Sequence, residues 1–304
     1  MTEIERIISK GVISGDYLRE ETICDFYVDE KRKKLWTVLL DMLVEYDKVC
    51  SKYGLKYFML YGSLLGTIRH HGFIPWDDDI DVAMPREDYE IFIRLGKEFK
   101  HPLFLQTPYT DKGYFYTPAR IRNSNTTAVV DMFRYAGFNQ GIWLSIFPLD
   151  YWDDNGGIER YEKIRSLVKD CSTYMRIGNP YLDDFNRARV AAYHGNPMRD
   201  YEEIQRLASS CKDSNSKYVM TAVITQGRYD QKLLDTTDFE NAIPMEFEGV
   251  QVMVPVGYDH LLRVWYGDYM KLPPQEERGI WHAGTYFDAD IPYKEYLHNQ
   301  GITI

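Results

Sequence analysis

The chain has 304 residues, 44% hydrophobic and 27% charged, values that support a large buried core and exclude an intrinsically disordered protein. With 46 acidic against 36 basic side chains its net charge is -10, which argues against a DNA or RNA polymer as partner, since affinity for such polyanions comes from cationic contacts to phosphates. Cys24, Cys50, Cys171 and Cys211 form no CxxC pair, which excludes a zinc knuckle or dithiol motif and predicts buried free thiols in a reducing compartment.

The opening segment, MTEIERIISKG, carries charges of both signs and lacks a signal-peptide apolar core. No apolar run approaches the ~20 residues that span a bilayer, so the expectation is a cytoplasmic protein without a transmembrane segment. Residues 1–32 read as a lead-in. From Lys33 to Tyr53, Leu35, Leu39, Met42, Leu43, Tyr46 and Val49 fall on one helical stripe, and Gly54 follows as a C-terminal cap. LKYFMLYG (55–62) reads as a short strand, and SLLGTIRHHG as a helix opened by Ser63. An acidic strand comes next, then REDYEIFIRLGKEF as an amphipathic helix. LFLQT, PARIRN, TAVVDMF and GIWLSIFPLD carry strand signals; residues 158–214 turn helical; strand character returns in SKYVMTAVI and FEGVQVMVPV. This order predicts an α/β (α+β) fold: a catalytic core over 33–150 with a small mixed sheet flanked by helices, a helical subdomain over 151–214, and a segment over 215–304 completing the catalytic domain.

GFIPWDDDIDVAMP, residues 72–85, packs Asp77, Asp78, Asp79 and Asp81 among apolar neighbours. Adjacent like charges repel, and carboxylates beside apolar groups lose hydration. A divalent cation removes both costs; a solvated acidic turn entering an edge strand is the plainer alternative. Residues two apart on a strand share a face, so Asp79 and Asp81 point together while Ile80 and Val82 face the core. Such a carboxylate pair suits Mg²⁺. Asp77 joins that face only if the strand extends backwards, and Asp78 does not. Upstream, Gly62-Ser63 ends a strand where a small residue admits a ligand close to backbone and a helix N-terminus favours an anion.

A strand, Gly-Ser, a helix and then a strand with paired acids resembles the nucleotidyltransferase superfamily. More sharply, YGSLLGTIRHHGFIPWDDDIDVAMPREDYE is similar to the LicD family of phosphotransferases, and ARIRNSNT, GIWLSIFPLD and VPVGYDHLLRVWYGDYMKLPPQEERGIWH resemble that family's later blocks, in order between Tyr61 and His282. The resemblance implies a nucleotidyltransferase-like core and a Mg²⁺-dependent enzyme, with Mn²⁺ as an alternative ion. Such an enzyme moves a phospho-alcohol, typically phosphocholine from CDP-choline, onto a sugar hydroxyl of a cell-surface glycan or its lipid-linked precursor. It implies work at the inner face of the membrane with peripheral association. By the same resemblance Asp79 and Asp81 are metal ligands, Gly62 and Ser63 hold donor phosphate, and Arg120 and Arg122 clamp the diphosphate or cytidine side. Arg69 plays a similar part or caps its helix. Asp268, Lys271, Arg278 and His282 contact the donor, and Tyr269 stacks on cytosine or sugar.

One position departs from the family's pattern. Its IFPLD strand carries an acid where this chain has Ser145, and a serine cannot replace a carboxylate as general base. Asp77 or Asp78, a water, or an acid from elsewhere then takes that role. Two competing readings stay open: a nucleotidyltransferase acting on a small molecule or sugar and, because of this departure, a non-catalytic partner that binds nucleotide or glycan.

Overall fold

The computed structural model describes residues 1–153, 157–221, 229–279 and 284–303. The lead-in is ordered. Helix α1 (Glu3–Ser9) starts with a capping box between Thr2 and Glu5, and a hairpin of β1 (Glu21–Ile23) and β2 (Phe26–Val28) follows. Helix α2 (Glu30–Tyr53) starts three residues before Lys33, capped by the Asp29 side chain, and ends at Gly54 in the left-handed conformation, the cap that its sequence predicts. Its stripe is fully used: Leu35, Leu39, Met42, Leu43, Tyr46 and Val49 are all buried. Asp41, on the same helix, is buried too, but Arg6 and Lys10 each reach it at 2.8 Å, which fastens α1 to α2.

The rest of the chain supplies β3 (Phe58–Met59), α3 (Tyr61–His70), β4 (Asp81–Pro85), α4 (Arg86–Phe92), β5 (Leu103–Gln106), β6 (Ala119–Asn123), β7 (Thr127–Val130) and β8 (Ile142–Trp152). Helices α5 (Gly157–Tyr174), α6 (Asp184–Ala192) and α7 (Pro197–Ala208) follow, then β9 (Tyr218–Met220), β10 (Leu234–Asp235), β11 (Ala242–Phe247), β12 (Val250–Pro255), α8 (Tyr258–Tyr266), β13 (Thr285–Asp288) and α9 (Tyr293–Asn299). The architecture is mixed α/β: one curled sheet with helices packed around it. Strand β8 is its spine. It runs parallel to β4, antiparallel to β6 and, through its far end, antiparallel to β9. One sheet face is apolar and covered by α2; alternation along the strands puts Ile80, Val82, Ile121, Leu144 and Ile146 there, all buried to within 1%. The opposite face carries Asp81, Arg120, Trp143 and Ser145, and the candidate site is built on it.

Three local expectations change. Helix α3 begins at Tyr61, not at Ser63, and no side chain caps it. The segment FEGVQVMVPV is a hairpin end and not one strand: Glu248 and Gly249, at φ 50° and 76°, turn the chain between Phe247 and Val250, a two-residue turn that needs positive φ at both positions. The helix expected over 86–99 stops at Phe92 and continues as a short 3-10 turn at Gly96–Glu98. Among the described residues no helix is long and apolar enough to cross a membrane, and all four cysteines are free, Cys50 and Cys171 buried.

Candidate active site

The acidic turn is positioned by packing on both sides. Trp36 of α2 stacks on Phe73 with ring centroids 4.8 Å apart and planes 4° from parallel. Trp76 sits edge-on to Phe26 at 5.9 Å, with the Arg278 guanidinium 5.1 Å from its ring. Between these anchors the Asp77 N–H donates to the Ile74 carbonyl at 2.8 Å. The Asp77 carbonyl accepts from Arg32 Nη1 at 2.8 Å and Trp36 Nε1 at 3.1 Å. The chain therefore turns at 74–77 instead of continuing the strand backwards. That turn brings together what alternation alone would separate: Asp77, Asp78 and Asp79 each offer a carboxylate oxygen, and these lie within 4.8 Å of one another. The expectation that Asp78 points away fails here, because the alternation rule holds only on extended backbone.

Electrostatics make this grouping costly. The Asp77 carboxyl is held well above the ordinary carboxylate value, first by burial and then by Asp79, Asp78 and Asp81. Arg32 is pulled the other way: burial lowers it, against the charges of Asp78, Asp29 and Asp77. Gly62 makes room for the group. A Cβ on Gly62 would stand 2.6 Å from Asp77 Oδ2, so the glycine is a notch that the carboxylate fills. Three clustered carboxylates, hard oxygen donors on a tight turn, fit a hard divalent cation such as Mg²⁺.

Beside the cluster lies a row across the sheet. Asp81 pairs in register with Ser145, Ser145 with Arg120, and Arg120 with Gln106. Register partners share a face about 4.8 Å apart, so Ser145 stands next to Asp81 on the neighbouring strand. Ser63 Oγ accepts the Asp81 backbone N–H at 2.9 Å; Ser63, in the first turn of α3, thus locks that helix to the start of β4. Arg120 is half-buried, its guanidinium 4.5 Å from the Tyr116 ring and 4.3 Å from the Trp143 ring. Arg122 is different. It is only 2% exposed and spends its donors on Gln106 Oε1 at 2.7 Å and the Gly141 carbonyl at 2.6 Å. Burial, then the charge of Arg120, lowers its pKa. Of the two arginines, Arg120 lies in the row beside Ser145 and Arg122 points inward.

The closing segment packs against α3. Arg69 Nη1 donates to the Tyr269 carbonyl at 2.8 Å and its Nε to His70 Nε2 at 3.0 Å, and burial, then Arg69 and His71, push His70 down to about 4. Arg278 donates to the carbonyls of Pro273 at 2.9 Å and Cys24 at 2.6 Å. Tyr269 is 6% exposed, with its hydroxyl on Asp259 Oδ1 at 2.7 Å. Asp268 and Lys271 are exposed. His282 lies outside the described residues. A separate cavity of about 850 Å³, lined by Arg86, Tyr109, Tyr201 and Gln205 among others, opens at the opposite end of β4 from Asp81.

Sequence reasoning misses several residues here. Asp150 of the IFPLD block faces away from the acids and forms a buried, bidentate pair with Arg86 at 2.6 and 2.7 Å. Arg32, Tyr61 and Tyr266 also lie near the carboxylates. The signal for Arg32 is its place one turn before Trp36, whose ring meets the same carbonyl. The signal for the tyrosines is only that they lie within two of the motif blocks.

The site thus combines a small mixed sheet, Gly62 and Ser63 in the first turn of α3, and a cluster of aspartates at the entry to β4. Residues 54–160 match the family described as LicD/FKTN/FKRP, nucleotidyltransferase domain; this stretch of the chain is a LicD-family nucleotidyltransferase domain. The chain is 27% identical over 258 residues to the lipopolysaccharide cholinephosphotransferase LicD of Haemophilus influenzae, covering 81% of this chain and 93% of that protein. Shorter matches reach uncharacterized proteins of Rickettsia typhi, 33% identical over 101 residues (31% of this chain, 33% of that protein), and Rickettsia prowazekii, 38% identical over 90 residues (27% of this chain, 34% of that protein).

Proposed function

We propose that the protein is a phosphotransferase of the LicD type that moves phosphocholine from CDP-choline onto a sugar hydroxyl of a cell-surface glycan or its lipid-linked precursor. The observation that carries this reading is the aspartate cluster seated in the Gly62 notch, inside a domain whose long relative is a lipopolysaccharide cholinephosphotransferase. The acceptor oxygen bonds to the donor's β-phosphorus, the bond from that phosphorus to the bridging oxygen breaks, and CMP leaves. The acceptor proton passes to a carboxylate of the cluster.

Asp79 and Asp81, with Asp77 and Asp78 beside them, would hold Mg²⁺ or Mn²⁺. When bound, such an ion neutralises charge on the diphosphate. Arg120 reaches the same face and serves the donor phosphates. Arg69 and Arg278 act at one remove, by holding the closing segment and the acidic turn in place. In this reading residues 33–150 and 215–304 form the catalytic unit and 151–214 a helical subdomain, and the protein works at the cytoplasmic side of the membrane. Ser145, in register with Asp81, favours one second reading: a binding partner with little or no turnover. CMP release from CDP-choline in the presence of a glycan acceptor supports the first, and tight CDP-choline binding without release supports the second.

A further inference from the structure

Tyr61 opens α3 at φ 45°, a left-handed conformation that a bulky residue adopts only when its surroundings enforce it. The constraint holds its ring 4.8 Å from Trp265 and 6.3 Å from Phe147, with its hydroxyl 2.8 Å from Thr221 Oγ1. Tyr266 ends α8 next to Trp265 and is 40% exposed. Four rings from α3, β8 and α8 thus meet beside the aspartates. Phe147 lies two residues beyond Ser145 on the same strand face. The Tyr266 phenol is pushed up by the crowding around it and then by the charges of Asp77, Tyr61, Asp81 and Asp79.

Many aromatic rings in this protein already carry a cation of their own, as Trp143 does from Arg120 and Trp152 from Arg160 at 3.9 Å. Among the described residues no lysine or arginine lies over Tyr61, Phe147, Trp265 or Tyr266. The nearby charges are those of the Asp77, Asp79 and Asp81 carboxylates. A quaternary ammonium suits such a place: it has no N–H to give a hydrogen-bond acceptor, so ring faces and diffuse negative charge are what hold it. A polyol or primary ammonium would need acceptors aimed at it. We infer that Tyr61, Trp265 and Tyr266, backed by Phe147, form an aromatic wall that reads the trimethylammonium head group of the donor and so sets its specificity. The inference rests on the phosphotransferase reading for the class of donor, but its test does not depend on turnover.

The test compares phosphocholine with its uncharged carbon isostere, 3,3-dimethylbutyl phosphate, by titration calorimetry of the full chain in Mg²⁺. The wild type is expected to prefer phosphocholine by roughly tenfold, and Trp265→Leu and Tyr266→Leu each to cut that preference to within about twofold while binding the isostere as before. Trp265→Phe and Tyr266→Phe, which keep a ring, should retain most of it. The ratio is internal to each preparation, so a variant of lowered stability still reports. Equal affinities in the wild type, or a preference that survives loss of either ring, overturns the inference. CMP release from CDP-choline by the wild type, measured alongside, separates the two claims: turnover without the preference leaves the phosphotransferase reading standing alone, and the preference without turnover does the reverse.

Discussion

Gly62→Ala adds one methyl group at the notch beneath Asp77. The new Cβ would stand 2.6 Å from Asp77 Oδ2 and 3.7 Å from its Cγ, about 0.8 Å short of the 3.4 Å at which ordinary contact begins. The Asp77 backbone cannot retreat, because Arg32 and Trp36 hold its carbonyl. The carboxylate must therefore swing, and in doing so it gives up the Asp78 N–H that it accepts at 3.1 Å. Two stability terms oppose one another: overpacking costs about 1–3 kcal/mol, while alanine in a helix gains up to about 1 kcal/mol over glycine. The net loss is modest. Cation affinity should suffer much more, because moving a ligand or its support typically costs ~10–100-fold. Urea denaturation with and without Mg²⁺ separates the two effects: at saturating ion, each tenfold loss of affinity removes about 1.4 kcal/mol of the stabilisation that Mg²⁺ confers. A Gly62→Ala protein that gains as much from Mg²⁺ as the wild type would refute the notch.

Other perturbations probe the same framework. Ser145→Asp sets a carboxylate between Asp81 and Arg120 in the register row; Mg²⁺ affinity, followed by thermal shift, should rise severalfold, and an unchanged affinity would mean that the row does not border the cation site. Asp150→Asn leaves the buried Arg86 guanidinium without its charge partner and should cost about 3–5 kcal/mol in urea unfolding, most of it recovered in Arg86→Met/Asp150→Leu; a loss below ~1 kcal/mol would contradict the buried pair. Because Asp77 is held above 3.8 in the folded protein, the native state keeps a proton that the unfolded chain has released, so in EDTA this group makes stability fall as pH rises from 3.8 through its raised value. Unfolding curves of wild type and Asp77→Asn should therefore diverge in that window, and Mg²⁺, which competes with the proton, should close the gap; parallel curves in EDTA would refute the raised value.

Much of this arrangement was legible in the sequence, and the failures have physical causes. The α2 stripe and its Gly54 cap are local signals, set by helix periodicity and one residue's backbone freedom, and both hold. Asp79 and Asp81 read as a pair from alternation, which describes extended chain. Alternation could not foresee that 74–77 turns, because that turn depends on Trp36 and Arg32, some 40 residues earlier. Ser63 has the sequence signature of a helix cap, but its hydroxyl serves a strand that starts 18 residues later. Arg120 and Arg122 are indistinguishable by spacing; what separates them is Gln106 and the Gly141 carbonyl, partners that only the sheet register supplies. The same holds for the aromatic wall, assembled from three motif blocks far apart in the chain.

The central claim is that the aspartate cluster carries a cation-dependent phosphocholine transfer. Its most direct test is CMP release from CDP-choline with a lipopolysaccharide acceptor, measured in Mg²⁺ and in EDTA for the wild type and for Asp79→Ala. The account predicts CMP release matched by phosphocholine on the acceptor, falling by about 100-fold or more both in EDTA and in the variant, as expected when several kcal/mol of charge stabilisation is lost. Undiminished release in EDTA or by Asp79→Ala, or transfer of the cytidylyl group in place of phosphocholine, would contradict it.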